Sequence, residues 1–220
     1  GRSVHQTSDS GYVITGETTS FGAGESDIYL IKTNPSGDTL WTKTFGGSND
    51  DGGYSIQQTN DGGYVIAGYM YSLGSVNPNL YLIKTNVGGD ILWTKTFGAN
   101  SSSGLANSIQ LTNDGGYIVV GNTNGQVFLI KTNNSGDTLW TRTYGGSNGD
   151  YGNAVINTSD GGYVISGFTE SFGAGESDVY LIKTNANGDT LWTKIFGGSN
   201  NDRGESIQQT SDGGYVITGY

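Results

Sequence analysis

An all-β fold is what the sequence predicts, and three observations predict it. The phrase Asp-Gly-Gly-Tyr, or a near copy, places a tyrosine at Tyr12, Tyr64, Tyr117, Tyr163 and Tyr215, at intervals of 52, 53, 46 and 52 residues. The four tryptophans, Trp41, Trp93, Trp140 and Trp192, follow at intervals of 52, 47 and 52. No stretch carries helical periodicity. Two independent markers on one period define a repeat. The prediction is a β-propeller of four-stranded antiparallel blades, with four complete repeats and one half repeat. Residues 1–220 then form a single propeller or propeller segment, with blades at about 1–47, 48–99, 100–146 and 147–198 and a half blade at 199–220.

The second repeat shows the strands. Ser55–Thr59 (SIQQT) is the first, Gly63–Tyr69 (GYVIAGY) the second, Leu80–Thr85 (LYLIKT) the third and Ile91–Phe97 (ILWTKTF) the fourth. Each is rich in β-branched and aromatic residues and bounded by Gly, Asn and Asp. In the fourth strand the period of two puts Trp93, Lys95 and Phe97 on one face and Leu92, Thr94 and Thr96 on the other. Between the first two strands, Thr59 to Gly63 supplies Asp-Gly, whose glycine takes the positive φ of a tight hairpin. Between the last two, Gly37, Gly89, Gly136 and Gly188 occupy matching turn positions. A twisted sheet with apolar residues on both faces needs neighbours on both, which favours stacked blades over a sandwich. An open β-solenoid is disfavoured because its rungs are shorter, about 20–30 residues.

The connection between second and third strands varies. It reads ETTSFGAGES in Gly16–Asp27, FTESFGAGES in Gly167–Asp178 and YMYSLGSVNP in Gly68–Asn79, and shrinks to NTNG between Gly121 and Gln126. The third repeat is therefore expected to have the shortest rim. Gly1–Glu17 also nearly repeats as Gly204–Tyr220, so the first two strands of a blade occur twice. The expectation is a segment of a larger ring, or a ring shared between chains as a homo-oligomer.

Composition excludes several functions. Ten Lys and Arg stand against 20 Asp and Glu, a net charge of −10, so there is no basic stripe for nucleic acid and no attraction to an anionic membrane. Apolar runs are too short to insert in a bilayer. Cysteine is absent, which removes disulfides and thiolate sites. No secretory signal stands in the 220 residues, and the chain starts at Gly1 rather than Met, so upstream sequence stays open. An acidic surface rich in Gly, Thr, Asn and Ser suits an extracellular or cell-surface protein.

Ser26 to Ser48, SDIYLIKTNPSGDTLWTKTFGGS, followed by DDGGYSIQQTNDGGYVIAGY, resembles the β-propeller repeat of bacterial and archaeal exported and cell-surface proteins. The likeness covers essentially the whole chain. More distantly, the N-x-x-G-D-T-L-W segment resembles the tryptophan motif of quinoprotein-like blades. The resemblance implies a surface or secreted setting and no single activity, so function has to come from a site.

The variable rim is where recognition is expected. Its candidate ligand-binding residues are Phe21, Glu25, Tyr69, Tyr71, Phe172 and Glu176, with aromatics that look exposed and able to stack on a sugar ring or a partner. The alternative is that they cover a blade edge. The link between blades carries Asp51, Asp150 and Asp202 in one slot, in FGGSNDDGG, YGGSNGDYG and FGGSNNDRG. They are candidate calcium ligands, against a plainer role as acceptors that fix the turn. Trp41, Trp93, Trp140 and Trp192 are expected in the packing between blades. Lys32, Lys84, Lys131 and Lys183 are expected to lay their stems on apolar surface with the ammonium in water.

Catalytic constellations are missing. The one histidine, His5, aligns with Gln57, Gln110, Ile156 and Gln208, a slot with no demand for a base. There is no nucleophile elbow, phosphate loop or zinc helix, and most acids belong to repeated turns. The expectation is a protein that is not an enzyme and carries no cofactor. It reads as a binding module for glycan or protein at the cell exterior. The competing readings are a purely structural display scaffold and, in a third class, an enzyme holding a quinone.

Overall fold

The computed structural model describes residues 1–71, 77–97 and 104–220. Residues 72–76 of the divergent loop, and the expected blade boundary at 99/100, lie outside them. Among the described residues there are eighteen strands and no helix. The chain forms two compact units, Gly1–Leu111 and Thr112–Tyr220.

The first unit holds β1 (Ser3–Gln6), β2 (Tyr12–Thr18), β3 (Asp27–Thr33) and β4 (Thr39–Phe45), hydrogen-bonded in that order as one antiparallel sheet. A second sheet follows: β5 (Asp51–Gln58), β6 (Tyr64–Met70), β7 (Asn79–Thr85) and β8 (Ile91–Phe97). β9 (Gly104–Leu111), the first strand of the third repeat, packs beside it, and the Ile109 amide donates to Ser55 Oγ at 3.2 Å. The second unit holds β10 (Tyr117–Thr123), β11 (Gln126–Thr132) and β12 (Thr138–Tyr144). The complete sheet β13 (Asp150–Asn157), β14 (Tyr163–Thr169), β15 (Asp178–Thr184) and β16 (Thr190–Phe196) comes next. The hairpin β17 (Gly204–Gln209) and β18 (Tyr215–Gly219) closes the chain. These are the blades of a β-propeller, four repeats and a half.

The first strand of a blade starts four residues earlier than the sequence suggests, at Asp51 rather than Ser55. Two glycines explain the difference. Gly52 and Gly53 pair with Tyr69 and Gly68, and the register then slips between Gly53 and Ser55. A side chain at Gly53 would come within 2.4 Å of Thr15 Oγ1, so the neighbouring blade needs glycine there.

Burial follows strand position. β6 and β7 are covered on both faces, because the first blade packs on one side of their sheet and β9 on the other. Ile28, Leu30 and Phe45 of the first blade meet Ile56, Ile66 and Ile83 of the second in one core. Each such aliphatic side chain contributes roughly 1.5–3 kcal/mol by leaving water. β8, the outer strand, alternates between half-buried Trp93, Lys95 and Phe97 and exposed Leu92, Thr94 and Thr96. The tryptophans stay half-buried, and Trp41, Trp140 and Trp192 each pack on a tyrosine of the next blade. Trp41 tilts against Tyr64 of the next blade with ring centres 6.0 Å apart.

The four lysines correct the sequence reading. Their ammonium groups are buried rather than in water, because each finds an acid in the hairpin turn of its own blade. Lys84 Nζ lies 2.9 Å from Asp61 Oδ2 and donates to the Thr85 carbonyl at 2.9 Å. Lys32 with Asp9, Lys131 with Asp114 and Lys183 with Asp160 repeat the pair. The short rim of the third repeat is a two-residue hairpin. Thr123 pairs with Gln126 across Asn124 and Gly125, whose φ values of 50° and 72° fit a turn with both central residues left-handed.

Candidate functional site

In each complete blade the two hairpin turns lie at one end of the sheet. The connection from second to third strand and the link to the next blade lie at the other. Backbone bonds join the two variable segments. The Asp51 amide donates to the Ser26 carbonyl at 2.8 Å, and the Asp202 amide to the Ser177 carbonyl at 2.8 Å. The rim is therefore built twice with the same parts, once in each unit.

Each copy turns on a buried aspartate at the start of the third strand. Asp27 Oδ2 accepts the Gly24 amide at 3.0 Å, and Asp178 Oδ2 accepts the Ala174 and Gly175 amides at 3.1 Å. The chain folds tightly over that carboxylate. Gly22 and Gly173 take φ of 109° and 107°, and a side chain on either would lie 2.1 Å from the aspartate oxygen. That tight loop raises the preceding aromatic to the surface. Phe21 stacks on Tyr29 at 5.8 Å and is 61% exposed, and Phe172 lies 5.9 Å from Tyr180 and is 43% exposed. Glu25 and Glu176 are exposed beside them. Glu176 Oε2 accepts from Asn201 Nδ2 at 3.0 Å, which ties the loop to the inter-blade link. Phe21 with Glu25, and Phe172 with Glu176, thus stand exposed on the same loops.

Tyr69 and Tyr71 are a different feature from the exposed platform expected of them. They are half-buried in an aromatic ladder with Tyr54, at centre distances of 5.4 and 6.0 Å. Arg2 lies over Tyr54 at 5.5 Å and pairs with Glu17 at 2.9 Å. Burial pushes the Tyr69 phenol up to about 12. Tyr54 and Arg2 were not singled out in the sequence, because the slot holding them reads Asn107, Asn153 and Glu205 in other repeats.

The aspartates of the inter-blade link act as acceptors. Asp51 takes the Gly47 amide at 2.7 Å and the Tyr71 amide at 3.0 Å. Asp150 takes the Gly146 amide and Ser171 Oγ, both at 2.8 Å, and the Thr169 hydroxyl. Asp202 takes the Gly198 amide at 2.8 Å. Burial raises the Asp51 carboxyl, against the two amides that lower it. Donors aimed at these oxygens occupy the directions a cation would need. Among the described residues no three His, Cys, Asp or Glu side chains gather into a group that could hold a metal ion.

A concave feature that sequence reasoning missed lies at the opposite end. A cavity of about 350 Å³ opens between blades of the second unit, lined among others by Leu139, Trp140, Tyr163 and the Asp114–Lys131 pair. At its wall Trp140 meets Tyr163 with ring centres 6.1 Å apart and a tilt of 56°.

No protein-family model matches the sequence, and no curated protein matches it. Solved structures do. A protein of unknown function from Bacteroides caccae aligns with a TM-score of 0.58 at 13% identity, over 94% of this chain and 64% of its own. A protein provisionally named a gluconolactonase aligns with a TM-score of 0.50 at 11% identity, over 90% of this chain and 64% of its own. Both are propellers, and at such identities the likeness shows the fold alone. The chain spans less than two thirds of the length of either.

Proposed function

We propose that this chain is a non-catalytic recognition module of an exported or cell-surface protein, taking a glycan or a protein segment on its variable rim. The observation that supports it is the pair of exposed phenylalanines, Phe21 and Phe172. Each is backed by a tyrosine and flanked by a glutamate on a loop held by a buried aspartate. A flat aromatic face beside hydrogen-bonding groups suits the apolar face and hydroxyl edge of a sugar ring. The same loop recurs in each unit, so each unit carries its own copy of the contact.

The exported setting rests on the sequence resemblance and on an acidic composition rich in Gly, Thr, Asn and Ser. Catalysis is disfavoured because the acids nearest the rim are engaged as turn acceptors and His5 stands in a slot that other repeats fill with Gln or Ile. The lactonase name of one neighbour is therefore not carried over. Binding of the labelled chain to an immobilised glycan array, with a protein pull-down beside it, tests the reading. Signal that disappears in a Phe21→Ser, Phe172→Ser variant is expected. No signal on either would leave the display scaffold.

A further inference from the structure

A glutamine ties the hairpin turns of neighbouring blades at two junctions. Between the first and second blades the Ser8 amide donates to Gln58 Oε1 at 2.8 Å. Between the fourth blade and the last hairpin the Ser159 amide donates to Gln209 Oε1 at 3.3 Å. At the junction of the third and fourth blades both members of that pair differ. Asn113 stands in the serine slot, and Asn157, one methylene shorter than glutamine, in the other. Ala186 also stands where the second blade has Val87, on the turn between third and fourth strands. Shorter side chains meet here, and all three line the cavity of about 350 Å³ in the second unit.

The chemistry of the lining specifies what fits it. One side is apolar, where half-buried Trp140 meets buried Tyr163. The other side is polar. Asn113 and Asn157 carry amides, which both donate and accept hydrogen bonds. Lys131 Nζ donates to Asp114 Oδ1 at 2.9 Å and to Oδ2 at 2.8 Å. Thr112 and the Gly116 amide donate to Oδ1 as well, which leaves Oδ2 the freer oxygen. The aspartate side chain is 57% exposed, so that oxygen is within reach of a ligand. Ammonium and carboxylate cancel, and the cavity has no net charge with which to draw an ion. Its volume is near the low end for ligand pockets, about 300–1,000 Å³, and suits one ring rather than a chain. Because Trp140 and Tyr163 meet at 56°, the wall offers no parallel pair of faces to hold a flat base.

We propose that this cavity is a binding site for one neutral sugar ring, at the end of the sheets opposite the variable rim. The apolar face of the ring rests on Trp140 and Tyr163. One hydroxyl donates to Asp114 Oδ2, and its neighbours exchange hydrogen bonds with the Asn113 and Asn157 amides. A row of hydroxyls beside an apolar ring face needs this combination of donors, acceptors and aromatic surface. The site is separate from the rim and does not depend on the reading given to Phe21 and Phe172.

Proton–nitrogen NMR spectra of the full chain, titrated separately with glucose, galactose, mannose and N-acetylglucosamine, test the proposal. With at least one sugar, saturable shifts of the Trp140 indole N–H and of the Asn113 and Asn157 side-chain amides are expected, at a dissociation constant of about 1–10 mM. Asn113→Ser with Asn157→Gln rebuilds the bridge seen at Ser8 and Gln58, so this variant is expected to fold normally. It should bind that sugar at least about tenfold more weakly. Ala186→Val, the residue of the second blade, narrows the same space from its exposed side and should weaken binding as well. The signals read belong to the cavity itself, so the outcome is independent of binding at the rim. Absence of shifts at the cavity with every one of these sugars overturns the proposal. So do shifts that both variants leave unchanged, or shifts produced by adenosine and by none of the sugars.

Discussion

Lys84 Nζ, buried in the second blade, sits 2.9 Å from Asp61 Oδ2 on the hairpin turn of the same blade, and Lys84 stands opposite Val65 in the ladder. The lysine is buried while the aspartate is more than half exposed. That asymmetry decides what each mutation does. Removing the acid strands a buried ammonium with only the Thr85 carbonyl, a loss of about 2 kcal/mol. Removing the cation leaves an acid that water can solvate. We therefore expect Asp61→Ala to lower the urea midpoint clearly, and Asp61→Ala with Lys84→Met to recover most of the loss. A double variant as unstable as the sum of the singles would show that the pair does not act as a unit.

The same pairs set the acid limit of the fold. For Asp61 burial raises the carboxyl pKa, but bonds from Thr59 and Lys84 outweigh it and hold the group at about 2. Asp114 is held at about 2 in the same way, with Lys131 the leading donor. Asp9 and Asp160 are lowered as well, by their turn threonines and their lysines. A carboxylate lowered on folding contributes stability above its unfolded value, near 3.9. That contribution fades as pH falls toward the folded value. The contribution of these pairs is expected to be level from about pH 7 down to about 4 and to fall between about 4 and 2. Thermal melts along that series check it, and in Lys84→Met with Lys131→Met the fall should be shallower.

Ser10 breaks a rule the other repeats keep. Its slot in the hairpin holds Gly62, Gly115, Gly161 and Gly213, all with φ between 81° and 85°, and Ser10 takes φ of 67° there. A side chain in the left-handed region costs roughly 1–2 kcal/mol, partly offset by the greater freedom glycine has when unfolded. Ser10→Gly should stabilise the chain by about 0.5–1 kcal/mol. A melting temperature that does not rise would mean the Ser10 side chain gains something locally that glycine cannot.

Half burial also revises the expected cost at the tryptophans. Trp41 rests on Tyr64 with its ring against Gly89, but its strand is the outermost of the blade. A fully buried tryptophan replaced by alanine costs about 3–5 kcal/mol. Trp41→Ala should cost about 2 kcal/mol, since much of the ring already meets water. Denaturant unfolding measures this, and a loss near zero would put the ring on the surface.

Periodic features were legible in the sequence, and contacts set by one turn were not. The Tyr64 and Trp93 spacings announced blades because a repeated core demands the same residue in the same slot. The short rim at Asn124–Gly125 followed from counting residues. The Lys84–Asp61 pair was hidden because its members lie 23 residues apart and meet only through the register of β6 on β7. Asp61 looked like a turn residue, which it also is. At the rim, Phe21 and Phe172 emerged exposed as expected, whereas Tyr69 and Tyr71 turned inward on Tyr54. The glycines that separate the two outcomes stand in the sequence, but their positive φ and the aspartate beneath them show only in the folded loop. The difference comes from Gly22 and Gly173, which fold one type of loop over an aspartate and lift its aromatic outward.

Phe21 and Phe172 allow binding to be separated from stability. Phe21 stacks on Tyr29 and is 61% exposed, while Phe172 lies against Tyr180 and close to Gly146 and is 43% exposed. Replacing either by serine removes little buried area and should change the folding free energy by less than about 1 kcal/mol. An aromatic face that carries a sugar is worth more in binding, since a stacked platform cannot be replaced by a hydroxyl. Each single variant should weaken glycan-array signal several-fold, and the double variant, which removes the platform from both units, should abolish it. Gly22→Ala tests the loop rather than the ring. Its φ of 109° and the 2.1 Å approach to Asp27 leave no room for a methyl group, so the loop must rearrange. We expect that variant to lose binding with Phe21 still present. Full binding in Gly22→Ala would show that the loop's conformation does not matter to recognition, and with it the rim would lose its claim as the site.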